Sequence, residues 1–247
     1  MADALVTIIT VVYNDIKNIE KTIQAILNQN YQSIEYVIID GGSSDGTIDI
    51  IKQYDKNISY WVSEKDAGIY NAMNKGVKHS NGEWLIFMNS GDLFYDNDVL
   101  KKIFYKANYS SVAILYGNTL AKNSKSVSKP PDAISKNFFY LNTICHQSVF
   151  FNKNVFKSFG NYNLGYKIIA DRELLYRVAR SKGKFLHADH LVSIWDEEGF
   201  SKANISLFQR EEILFQKENF LMAERHFILF KKRLQNLLKK LIKVRIN

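Results

Sequence analysis

The 247-residue chain contains a single cysteine, Cys145, and two prolines, Pro130 and Pro131, side by side. One cysteine excludes an intramolecular disulfide and fits a reducing compartment. No apolar run approaches the ~20 residues a membrane-spanning helix needs. The N-terminus, Met-Ala-Asp-Ala-Leu, has no basic segment followed by an apolar stretch, so no signal peptide is expected. Neither Gly-x-x-x-x-Gly-Lys-Ser/Thr nor Gly-x-Gly-x-x-Gly occurs, which removes support for the usual nucleoside-triphosphatase and dinucleotide-binding readings. No internal repeat is present. The net charge of +8 is confined to one end: residues 201–247 carry 11 Lys/Arg against four Glu and no Asp, and residues 1–200 are close to neutral at +1. A nucleic-acid-binding surface is therefore not expected, but a basic tail is.

What is present is ample for a core. Apolar residues make up 46% of the chain and charged residues an ordinary 23%. This length suits one large α/β domain or a domain with an appendage. Leu5 to Val12 is an apolar, β-branched run that reads as a buried strand and stops at Tyr13-Asn14-Asp15. Ile19, Ile23, Ile26 and Leu27 then recur at helical spacing. Glu35 to Ile39 reads as a second strand, ending in Asp40-Gly41-Gly42-Ser43-Ser44-Asp45-Gly46-Thr47, a turn-forming loop with a helix starting near Thr47. Ile58 to Val62 is a third strand, Ala67 to His79 a helix, and Trp84 to Met88 a strand suited to burial on both faces. This rhythm implies a largely parallel, Rossmann-like sheet with flanking helices.

Beyond Asp92 the pattern loosens. Asp98 to Asn108 reads as a helix and Val112 to Tyr116 as a strand. Gly117 to Phe139 is polar, rich in lysine and serine, and holds both prolines. It is expected to be a surface excursion, either a mobile loop or a short antiparallel pair, fit to act as a binding lid. His146 to Phe151 resumes a strand, and Ala170 to Lys182 is an amphipathic helix with Leu174, Leu175 and Val178 inward. Phe185 to Trp195 holds one or two strands, and the chain is helical from Ile205 almost to its end.

Ligands bind outside the carboxyl ends of the strands in open α/β sheets. Acidic residues follow successive strands here, in Tyr13-Asn14-Asp15 and at Asp40, Asp66 and Asp92, so their loops converge if the strands are parallel. Asp92, which ends Trp-Leu-Ile-Phe-Met-Asn-Ser-Gly-Asp, reads either as a ligand to substrate or metal or as a helix cap.

These blocks together resemble a known family. Thr7 to Asn14, Ile38 to Thr47, Ser63 to Gly76, Phe87 to Asp92, Ile144 to Gln147 and Ala170 to Arg177 resemble, in order and spacing, the bacterial family 2 glycosyltransferases that build O-antigens, capsules and exopolysaccharides. The resemblance spans roughly residues 5–200 and implies the GT-A fold. It also implies roles for residues. Asp40 corresponds to the carboxylate that bonds uracil, with Thr10 and Tyr13 beside base and ribose, although Tyr13 is alternatively simple packing. Ser43 and Asp45 would hold the loop. Asp66, Gly68, Asn71 and Asn74 would lie along the ribose and sugar side, with Met73 in the core. Asn89, Ser90, Gly91 and Asp92 correspond to the Asp-x-Asp region, whose metal-binding end is Asp92. Its Mn²⁺ or Mg²⁺ would take oxygen ligands, several of them from the diphosphate. Asn89 and Gly91 stand where acids occur elsewhere, so weak metal binding without nucleotide is expected. Asp171 corresponds to the catalytic base, with a helix cap or a base role for Glu173 as alternatives. His146 and Gln147 fall on the acceptor side. Arg177 reads as a phosphate partner or a solvated face, and Trp195 as a sugar platform or core.

In the tail, Phe227, Phe230, Leu234, Leu237, Leu241 and Val244 line one helical face, with Lys232, Asn236, Lys239, Lys240 and Lys243 roughly opposite. Such a helix reads as a binder of anionic membrane surfaces, or as a coiled-coil or core-docked helix. The resulting expectation is a GT-A domain over residues 1–200, with a nucleotide-sugar half at 1–92 and an acceptor half at 93–200, followed by a basic amphipathic helical extension at 201–247. Its expected activity is metal-dependent inverting transfer from a UDP-sugar to a polyprenyl-linked glycan, in the cytoplasm at the inner face of the membrane. A non-catalytic sugar-nucleotide-binding subunit and a nucleotidyltransferase remain as alternatives.

Overall fold

The computed structural model describes residues 3–197 and 200–246, apart from the side chains of 200, 201 and 235–246. The first half runs β1 (Val6–Val12), α1 (Ile19–Leu27), β2 (Ile34–Asp40), α2 (Thr47–Gln53), β3 (Tyr60–Ser63), α3 (Ile69–Lys78) and β4 (Trp84–Phe87). β1 pairs in parallel with both β2 and β4, and β2 in parallel with β3. The second half runs β5 (Leu93–Phe94), α4 (Val99–Phe104), β6 (Ile114–Ala121), β7 (Val127–Ser128), β8 (Val149–Asn152), α5 (Asn154–Phe159), α6 (Ala170–Arg180), β9 (Phe185–Trp195), α7 (Phe200–Ala203), α8 (Ile205–Asn219) and α9 (Met222–Ile246). Among the described residues the strands form one sheet, ordered β3-β2-β1-β4-β8-β6-β9-β5, with β7 on β6.

The chain therefore has the expected α/β architecture, parallel across its first four strands and mixed beyond them. β8 is antiparallel to β4 and β6, and β9 is parallel to β6. The path from β6 to β8 passes through β7 and short 3₁₀ turns and includes no crossover helix. Side-chain alternation along β1 sorts the core into two layers. Ile9 and Val11 face a layer with Phe87, Met73, Leu174 and Phe215, whereas Ile8 and Val12 face one with Ile23, Trp84 and Leu100.

Packing decides two expectations. Of the two forms expected for Gly117 to Phe139, the short antiparallel pair is the one present, as β6–β7. The Pro-Pro segment is strapped down by Tyr116, whose hydroxyl donates to the Pro131 carbonyl at 2.6 Å, and by His187 against Asp132. Residues 201–247 are not one appendage. α8 docks on the domain through buried Phe215 and the following Phe220, whose rings pack with Tyr176 and Tyr140.

α9 is the extension proper. Ile228 packs against the core, but Phe227, Phe230 and Leu234 are 63%, 65% and 47% exposed. The apolar stripe is thus not docked on this chain at those positions. The side chains of Leu237, Leu241, Val244, Asn236, Lys239, Lys240 and Lys243 lie outside the described residues. Among the described residues no helix is long and apolar enough to cross a membrane.

α3 lies flush on β1 because residue 76 is glycine: a Cβ there would sit 2.4 Å from Ile9 Cγ2. Alanine is favoured over glycine in a helix by about 1 kcal/mol, but forcing a methyl into a filled core costs about 1–3 kcal/mol. Gly76→Ala is therefore expected to lower the denaturant midpoint; an unchanged or higher midpoint would show that the helix can lift from the sheet at no cost.

Candidate functional site

A cavity of about 800 Å³ opens where β1 and β2 end and α3 begins. Of the residues expected to bind donor, Tyr13, Asp66, Gly68 and Asn71 line it. Tyr13 is 65% exposed, which rules out simple packing and leaves its ring free for a planar ligand. Asp66 is aimed by Lys75, whose Nζ lies 2.5 Å from Asp66 Oδ1 and 2.8 Å from Glu64 Oε1. Partial burial pushes the Lys75 ammonium down, but these two carboxylates outweigh it and hold the group above its ordinary range. Gly68 has φ +110° and open space where a Cβ would be, so its backbone conformation requires glycine although its surroundings do not. The Asn71 side chain accepts from the Ala67 N–H across the start of α3.

Three expected donor-binding residues do other work. Thr10 is fully buried and bonded to the Tyr36 hydroxyl and the Met88 carbonyl. Asp40 is also fully buried, and its carboxylate accepts from Gly42 N–H, Ser43 N–H, Ser43 Oγ and Ser63 Oγ at 2.5–3.0 Å. It shapes the loop from within and does not line the cavity. Asn74 clamps the backbone of Tyr162 through both its amide atoms. Ser43 and Asp45 hold the loop as expected, by accepting N–H groups from Asn14 and Ile16.

A polar corner adjoins the cavity. The turn after β4 is tied to β1 through Ser90 N–H donating to the Val11 carbonyl, and Ser90 Oγ donates to Asp15. Gly91 turns the chain with φ +96°. Asp92 then accepts from Asn89 N–H at 3.1 Å and Gln147 Nε2 at 3.2 Å, and its Oδ2 lies 3.5 Å from His146 Nε2. His146 and Gln147, which begin a 3₁₀ turn before β8, thus meet the Asn89–Asp92 loop. Burial pushes the His146 imidazole down, but the Asp92 hydrogen bond and the charges of Asp92 and Asp171 outweigh it, so it is held above its ordinary value.

Asp92 brings oxygen donors suited to a hard divalent cation, and the buried Asn89 Oδ1 beside it has no hydrogen-bond partner. Among the described residues no group of three or more His, Cys, Asp or Glu could hold a metal. The residues fit an ion that takes most of its ligands from a bound diphosphate.

Asp171 occupies the first turn of α6. Tyr70, from α3 and the cavity wall, donates to the Ile168 carbonyl at 2.6 Å and lies 3.1 Å from Asp171 Oδ1. Burial, reinforced by the Asp171 charge, keeps the phenol well above its ordinary value, so it remains protonated. Its single proton serves the carbonyl or the carboxylate but not both at once. Glu173, the alternative base, is buried and ion-paired with Arg177 at 2.8 Å. Arg177 itself grips the carbonyls of Phe159 and Asn161, which leaves it a structural clamp. Trp195 closes β9 opposite Ala121 and does not line the cavity.

Sequence reading missed the far wall: Leu164, Tyr166, Lys167 and Leu207. Leu164 to Lys167 follow a block that carried no motif, and Leu207 reaches the cavity only because α8 folds back.

The sequence profile of Glycosyl transferase family 2 matches residues 7–167. An uncharacterised glycosyltransferase of Mycobacterium tuberculosis is 31% identical over 179 residues, covering 70% of this chain and 68% of that protein. A PGL/p-HBAD biosynthesis glycosyltransferase of Mycobacterium bovis is 29% identical over 196 residues, covering 78% and 76%. Among solved structures, TarS of S. aureus with UDP-GlcNAc superposes with a TM-score of 0.67 at 16% identity, over 79% of this chain and 59% of that one. A mannosyltransferase from Pyrobaculum calidifontis, bound to GDP-Man and Mn²⁺, superposes with a TM-score of 0.67 at 17% identity, over 83% and 61%. The superpositions establish the GT-A fold, and the profile match shows that this chain belongs to glycosyl transferase family 2.

Proposed function

We propose that the chain is an inverting hexosyltransferase that moves a sugar from a UDP-sugar to a hydroxyl of a lipid-linked glycan during assembly of a bacterial surface polysaccharide. One observation carries the reading: Asp92 and Asp171, from opposite halves of the chain, stand beside one nucleotide-sized cavity, the Asn89–Asp92 turn through Ser90 N–H on Val11 and Asp171 through Tyr70, both lining residues. The diphosphate would lie toward Asp92 and the reacting sugar toward Asp171. Asp171 then takes the acceptor hydroxyl's proton as that oxygen attacks the anomeric carbon, and the carbon–oxygen bond to the diphosphate breaks to release UDP. A single base of this kind implies inversion. When bound, Mn²⁺ or Mg²⁺ would offset charge on the departing diphosphate, with Asp92 and Asn89 Oδ1 as its protein ligands. UDP is the proposed carrier by likeness to TarS with UDP-GlcNAc, with GDP, bound in the mannosyltransferase of equal similarity, as the alternative. Tyr13 and Asp66 are the residues left to grip base and ribose, since Thr10 and Asp40 are turned inward.

The same reading sets the chain at the cytoplasmic face of the membrane. The exposed Phe227–Phe230–Leu234 stripe is followed or flanked by Lys231, Lys232 and Arg233, and no acidic residue occurs after Glu224. Apolar insertion plus attraction of about 1 kcal/mol per basic residue near anionic lipid would hold the enzyme beside a lipid-linked acceptor.

Two measurements test these assignments. Asp171→Asn is expected to bind UDP as the wild type does, by calorimetry, while transfer falls at least about 100-fold, the scale of a lost general base; near-normal turnover would remove the base role. The double change Phe227→Glu and Phe230→Glu, at exposed positions, is expected to weaken co-flotation with anionic vesicles by more than about tenfold, given about 1.5–3 kcal/mol per buried aromatic. Undiminished flotation would mean that this face serves something else.

A further inference from the structure

α6, the helix that carries Asp171, begins without a cap of its own: its N-cap residue is Ile169, whose side chain offers no oxygen. The three N–H groups just before the helix are held instead from α8, more than forty residues later. Glu211 Oε1 accepts from Lys167 N–H at 2.6 Å, and Oε2 accepts from Ile168 N–H at 2.9 Å and Ile169 N–H at 3.3 Å. Glu211 is 5% exposed, and three backbone donors offset the cost of burying its carboxylate there.

Its reach extends to the base. The Ile168 peptide is held at its N–H by Glu211 and at its carbonyl by the Tyr70 hydroxyl, the same hydroxyl that lies 3.1 Å from Asp171 Oδ1. The anchor is itself rigid. α8 is fixed by Phe215 in the core, by Glu212 on Arg172 at 2.6 Å and by Glu218 on the Tyr166 hydroxyl at 2.7 Å.

We propose that Glu211 is a positioning residue for Asp171: by holding the Lys167–Ile169 backbone it sets where the base stands relative to the cavity. The proposal rests on Asp171 being the base. It also makes α8, beyond the span of the family profile, a working part of the active site.

The test compares Glu211→Ala and Glu211→Gln with the wild type in the full-length chain, using donor kinetics, UDP calorimetry and amide hydrogen exchange. Glu211→Ala is expected to lower kcat by about 10- to 100-fold, the scale of an ångström-level misplacement. UDP affinity should stay within about threefold, because Tyr13 and Asp66 lie on the opposite wall, and exchange should accelerate at 167–171. Glu211→Gln keeps one acceptor oxygen, enough for Ile168 and Ile169 N–H, but sets its NH2 against Lys167 N–H, so kcat should fall between those of wild type and Glu211→Ala, which separates positioning from loss of fold. Unchanged kcat in the alanine variant, or loss of kcat and UDP affinity together in both variants, would overturn the proposal. If the wild type transfers no sugar, exchange still decides: unaltered protection at 167–171 in Glu211→Ala overturns the clamp, and local loss of protection supports it while the failure falls on the transferase reading.

Discussion

β1 is hydrogen-bonded to β2 on one side and β4 on the other, both in parallel, so the chain leaves all three strands at the same edge of the sheet. Everything at the site depends on that pairing. It sets Tyr13 after β1, the Asp40 loop after β2 and the Asn89–Asp92 turn after β4 next to one another. Parallel pairing requires buried strands, and β1 meets that demand with seven buried residues, five of them β-branched and apolar. The fully buried Thr7 and Thr10 stay within the sheet because each finds a hydrogen-bond partner there. The first half of the site is thus a direct product of sheet geometry.

The second half has a different origin. Asp171 approaches from α6, whose start is held by Tyr70 of α3 and Glu211 of α8. The cavity's far wall comes from the segment before α6 and from Leu207. The proposed site is therefore a junction between a parallel sheet edge and a helix held by long-range hydrogen bonds. Packing of Phe215 and Phe220 keeps that junction closed. Lys75 between Glu64 and Asp66, and Asn74 on Tyr162, perform the same service on α3, so part of that polar motif holds the cavity wall in place.

How much was legible in the sequence follows from these two origins. β1, β2, β4 and α3 were readable because local periodicity and loop composition specify them. The burial of Asp40 and Thr10 was not. Both resemble ligand-binding residues in type and place, yet a carboxylate followed by two glycines and a serine can equally fold onto its own loop, and here it does. β5 was unreadable because a two-residue strand has no periodicity and exists only through β9. The mixed second half of the sheet was hidden for a related reason, since the direction of β8 depends on a path through irregular turns. α8 looked like the start of a basic tail because charge was summed over 201–247, whereas Glu211, Glu212 and Glu218 act individually on residues far back in the chain.

The central claim is that Asp92 and Asp171 flank one reacting centre. It is tested most directly by a crystal structure of the Asp171→Asn variant with an intact UDP-sugar and Mn²⁺. The account expects the diphosphate against the Asn89–Asp92 turn, the nucleoside along Tyr13 and Asp66, and the side chain at position 171 facing the anomeric carbon from the side opposite the leaving group. A donor bound with its diphosphate away from Asp92, or with its anomeric carbon turned from position 171, would contradict it.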